Sequence, residues 1–100
     1  MSLSQLSECS AVRVKADGTV LGSHNIGTVA KGATGVYTLH TVNGYGPAVA
    51  IDLTCEGAKN ESATLVQDVT DLTLWTVSTW SSAGAAKDIG FSLKFNTFNT

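Results

Sequence analysis

From residue 89 to residue 96 the chain alternates strictly: Ile89, Phe91, Leu93 and Phe95 are apolar, while Gly90, Ser92, Lys94 and Asn96 are small or polar. That pattern specifies a strand with one dry and one wet face, because successive side chains of an extended chain point to opposite sides. The period recurs upstream. Val12, Val14 and Ala16 alternate with Arg13, Lys15 and Asp17, and Tyr37, Leu39 and Thr41 alternate with Val36, Thr38 and His40. Val49, Ile51, Leu53 and Cys55 share one face of a further run.

Between these runs stand turn residues. Asp17-Gly18 has the chemistry of a hairpin turn, and "VNGYGP" breaks the chain most strongly, since Pro47 cannot donate to a central ladder. "TVLG", "IGTVA", "SATLVQDV" and "DLTLWTVSTW" complete the set of extended segments, and no stretch has a helical period. Roughly eight short strands with turns every eight to twelve residues predict an all-β, antiparallel β-sandwich or barrel. Its predicted core contains Val12, Val14, Ile51, Leu53, Phe91, Leu93 and Phe95. One hundred residues suffice for one such domain and not for two. Residues 10–100 are assigned to it, and residues 1–9 to a flexible N-terminal segment or connector.

The polar positions are mostly Thr, Ser, Gly and Asn. Charged residues make up 14% of the chain, against roughly a quarter in ordinary domains. Uncharged polar surface desolvates at lower cost than charged surface, which favours burial of part of the exterior in a homo-oligomer. With a net charge of -2 and six scattered Lys and Arg residues, the chain lacks the basic footprint of a nucleic-acid binder. Apolar runs such as "PAVAI" are too short to insert in a membrane as a helix. "MSLSQLSECS" has neither the basic region nor the apolar core of a secretory signal, so the product is expected to stay where it is made or to leave by cell lysis.

Candidate chemistry is sparse. Cys9 and Cys55 form no CxxC motif and read as two reduced, partly buried thiols, with a disulfide as the alternative. His24 and His40 have no second ligand at metal spacing, so neither metal nor cofactor is expected. Asp52, Glu56, Asp68, Asp71 and Asp88 are spread over strands and turns and read as solvated carboxylates. No GxSxG elbow or phosphate loop occurs, so the chain is not expected to be an enzyme. The sequon Asn60-Glu61-Ser62 lacks a secretory context. Tyr45, Trp75 and Trp80 are candidates for contact with a receptor or glycan, because a ring at a strand end can stack on a sugar face; packing of the same rings in the core is the competing reading.

The segment "ADGTVLGSHNIGTVAKGATGVYTLHT", followed by an outer strand pair and a closing "GFSLKFN", resembles small β-modules near the C-terminal ends of bacteriophage tail fibres, tail spikes and related virion appendage proteins. The likeness spans about residues 11 to 97, with Gly32, Gly35, Tyr37 and Leu39 at the matching positions of a turn that feeds a strand. Pro47 and Ala48 depart from the pattern, standing where an aromatic-rich entry to the next strand is expected. The resemblance implies a non-enzymatic structural protein of the virion, assembled in the host cytoplasm. It implies a homotrimer, or next a homodimer, bound to other virion proteins and in contact with a host surface glycan or receptor. Gly84, Ala85 and Ala86 are expected to permit close approach of neighbouring chains. A carbohydrate-binding or adhesion β-sandwich module of a bacterial surface protein is the alternative.

Overall fold

The computed structural model describes residues 6–42, 44 and 49–98. Within them lie eight strands: β1 (Leu6–Val14), β2 (Val20–His24), β3 (Ile26–Lys31), β4 (Val36–Thr41), β5 (Val49–Cys55), β6 (Ser62–Gln67), β7 (Leu74–Trp80) and β8 (Phe91–Phe98). They form two four-stranded sheets, sheet A in the order β2-β1-β8-β5 and sheet B in the order β3-β4-β7-β6. All these pairings are antiparallel. The sheets face one another as a sandwich, with the apolar faces of both turned inward.

Residues 6–9 are not a separate segment. They continue β1, because the far end of β8 supplies a ladder partner up to Phe98, opposite Leu6. At the Asp17-Gly18 turn, Gly18 takes φ +91° and its N–H donates to the Lys15 carbonyl at 2.9 Å. Between β2 and β3 the chain changes sheet through Asn25 alone, which adopts φ +56°. Asn tolerates that left-handed backbone better than most residues, so one residue turns the corner.

The core is built by the four central strands. Val12 and Val14 of β1 and Phe91, Leu93 and Phe95 of β8 meet Tyr37 and Leu39 of β4 and Trp75 and Val77 of β7, all buried. Tyr37 meets Phe91 edge-on at a centroid distance of 5.1 Å, and Trp75 lies 4.7 Å from Phe95. Such pairs add about 0.5–1.5 kcal/mol each beyond their area burial. Leu53 and Val49 of β5 pack partly against this cluster. Ile51, expected in the core, is 42% exposed. It shares their alternation, but β5 is an edge strand with β8 on one side only, and an edge strand buries its inward face incompletely.

The β8 ladder also separates the cysteines. Cys9 lies opposite Asn96 on one flank and Cys55 opposite Phe91 on the other. Five positions along the strand are about 16 Å, well beyond the ~7 Å between Cα atoms that a disulfide spans. Cys55 is a free thiol.

Candidate binding face

The two outer faces of the sandwich differ in chemistry. On sheet B, cross-strand rows run Thr28–His40–Leu74, Ala30–Thr38–Thr76–Val66 and Val36–Ser78–Thr64. None of these residues is Asp, Glu, Lys or Arg. Apart from the His40 ring at one end, the face is a mixture of hydroxyls and methyl groups, with Val66 64% exposed.

Sheet A carries the charge. One row runs His24–Ala11–Lys94–Asp52 and the next Gly22–Arg13–Ser92–Thr54, each crossing β2, β1, β8 and β5 in turn. Here the alternation that buries Val12, Leu93 and Leu53 turns the intervening residues outward. Small side chains at Ala11, Ser92 and Gly22 leave space between long ones, and a Cβ at Gly22 would meet nothing within 4 Å. The result is an open trough of about 490 Å³ across the sheet. Arg13 is anchored beside it: its Nε donates to both Glu56 oxygens at 3.1 Å, a contact that bridges from β1 past β8 to the end of β5. Lys94 and Asp52 are cross-strand neighbours, yet among the described residues neither forms an ion pair. The trough therefore offers hydrogen-bond donors, acceptors and charge, the means of non-covalent recognition.

The residues singled out from the sequence are placed differently. Trp75 is 2% exposed and packs on Phe95, so it has no face to offer a receptor; its inward position on central strand β7 decides this. Its Nε1 is buried without a hydrogen-bond partner among the described residues. Trp80, half-buried at the end of β7, donates from Nε1 to Thr64 Oγ1 at 3.5 Å on the outer side of sheet B. Tyr45 lies outside the described residues. Neither Trp75 nor Trp80 lines the trough.

The histidines occupy opposite faces. His24 lines the trough, and His40 on sheet B lies 3.8 Å from the Asp71 carboxylate. No group of three metal-ligating side chains occurs among the described residues. Most of the carboxylates organise turns. Asp68 accepts from the Thr70 and Asp71 N–H groups and the Thr70 hydroxyl, and Asp71 accepts from the Thr73 hydroxyl and N–H. These bonds hold both carboxyls below the usual carboxylate range, led at Asp68 by the Asp71 N–H and at Asp71 by the Thr73 hydroxyl. Asp52 differs in standing mid-strand within the trough.

Gly84, Ala85 and Ala86 are exposed in the β7–β8 connection. Gly84 serves a turn there at φ +85°, and Ala86 bridges to Trp80. The sequence signal for the trough was the wet half of each alternating strand, but only the strand order sets Lys94 beside Asp52 and Arg13 beside Ser92. Comparison of the chain with protein-family models, with curated proteins and with solved structures finds no match.

Proposed function

We propose that this chain is a non-enzymatic structural module of a bacteriophage virion appendage, which associates with copies of itself and presents one face to a host surface. The observation that carries this reading is the asymmetry of the sandwich: the outer rows of sheet B are free of Asp, Glu, Lys and Arg, whereas those of sheet A hold Arg13, Asp52 and Lys94. A face of hydroxyls and methyl groups, with His40 and its neighbour Asp71 confined to one end, can meet a copy of itself with few charges to bury, and a charged, indented face suits a soluble contact. The resemblance of "KGATGVYTL" and its surroundings to fibre and spike modules supports a virion setting. A trimer is the leading assembly and a dimer the next.

Light scattering on the purified chain at micromolar concentration should report a multiple of 10.3 kDa. Thr76→Lys, at the middle of the sheet B face, should return it to a monomer. A monomer from the unaltered chain would remove the assembly claim. Portal, tail or lysis genes beside the coding sequence would support the virion setting; genes for a bacterial surface protein there would replace it with the second reading, a carbohydrate-binding or adhesion module. The trough on sheet A favours that second reading.

A further inference from the structure

We propose that the trough on the outer face of sheet A binds a carboxylate-bearing sugar of the uronic-acid type. This deepens the reading above and rests on its premise that sheet A is the presented face. The argument starts from four residues on the two central strands. Arg13 pairs with Ser92 and Ala11 with Lys94, so the two cations occupy one diagonal and the two small residues the other. Diagonal neighbours on one sheet face lie about 7–8 Å apart, a spacing at which one carboxylate, lowered onto the Ala11 and Ser92 floor, reaches both cations. Arg13 is anchored for this by Glu56, which accepts from its Nε at 3.1 Å; the two terminal amino groups of the guanidinium form no hydrogen bond among the described residues.

The surrounding residues narrow the ligand further. Asp52 stands beside Lys94, and Thr54 beside Ser92. Asp52 accepts hydrogen bonds from ligand hydroxyls, and with Glu56 it offsets the two cations and leaves no surplus of positive charge, so a singly charged ligand with hydroxyl donors fits where a phosphate dianion does not. His24 and Ser23 close the β2 side with further polar atoms. The volume of about 490 Å³ lies in the range of small-ligand pockets, roughly 300–1,000 Å³. Its open side suits a polyhydroxylated ring that keeps part of its surface in water.

The test is a titration of the full chain, followed by amide chemical shifts, with galacturonate, galactose and acetate as separate probes. Galacturonate should produce saturable shifts at Ala11, Gly22, Ser92 and Lys94, and should bind about tenfold more tightly than galactose or acetate. Lys94→Gln, an exposed change that preserves the dispersed spectrum of the fold, should weaken it by a similar factor. Absence of saturable shifts, equal binding of acetate, equal binding of galactose, or an unaltered affinity in Lys94→Gln would each overturn the assignment. Light scattering is read separately, so a failed titration removes the ligand class without touching the assembly reading.

Discussion

Asp88 Oδ1 accepts a hydrogen bond from the backbone N–H of Gly35 at 2.6 Å, tying the approach to β8 onto the turn that opens β4. The same oxygen lies 2.9 Å from Lys31 Nζ, whose ammonium sits 5.5 Å from the centroid of the Tyr37 ring. Around this point Gly35 O accepts from Thr79 N–H at 2.8 Å, and the Tyr37 hydroxyl donates to the Ala16 carbonyl at 2.6 Å. The cluster joins the β1–β2 turn, β3, β4, β7 and the β7–β8 connection at one end of the sandwich.

Gly35 is therefore required twice over. Its φ of +71° belongs to the left-handed region, and a Cβ there would lie 2.7 Å from the Thr79 carbonyl oxygen and 3.0 Å from the Lys87 nitrogen. Backbone cannot yield as a flexible side chain does, so Gly35→Ala should destabilise the domain by about 2 kcal/mol or more. Urea denaturation measures it. A midpoint unchanged from the parent would refute the assignment.

Core truncations should divide by strand position. Phe91→Ala, on central strand β8 with 0% exposure, should cost about 3–5 kcal/mol. Ile51→Ala on edge strand β5 removes a side chain already half in water and should cost well below that. Equal losses in denaturant melts would contradict the edge placement of β5.

Acid should weaken the fold. The carboxyls of Asp17, Glu61, Asp68, Asp71 and Asp88 are all held below their ordinary values, led in turn by Thr19 N–H, the Lys87 ammonium, Asp71 N–H, the Thr73 hydroxyl and Gly35 N–H. A depressed folded-state pKa means that the unfolded chain takes up protons first. The stabilisation is thus full above the unfolded values, 3.8 for Asp and 4.5 for Glu, and is lost as pH falls through the lower folded ones. Thermal midpoints should be level above about pH 6 and decline progressively below about pH 5. Asp88→Asn should flatten part of that decline, and a profile flat down to about pH 3, below the ordinary Asp value, would contradict these bonds.

Thiol titration in denaturant without reductant should find both cysteines of the chain reactive, because the full width of β8 separates Cys9 from Cys55. A count of zero would mean that the β1-β8-β5 order is wrong.

How much of this was legible in advance varies by element. At β4 the alternation groups Tyr37, Leu39 and Thr41 on one face without saying which way that face points, and the structure turns it inward, with all three buried. At β5 the same reasoning put Ile51 in the core and failed, since periodicity says which residues share a face and nothing about whether a neighbouring strand covers it. Trp75 and Trp80 looked equivalent as aromatics near strand ends; five positions along β7 put one inward against Phe95 and the other on the outer side of sheet B.

By itself the sequence determined the all-β class, the strand segments, most turns and the inward half of β1 and β8, because these follow from local backbone chemistry and a two-residue period. Tertiary structure alone decided the strand order, and with it which strands are edges, where the charges gather and what separates the cysteines. The trough depends on that order: His24, Arg13, Asp52 and Lys94 are distant in sequence and become neighbours only through the β2-β1-β8-β5 register. No local signal carries that information, since pairing between distant strands is selected by the collective burial of both inner faces.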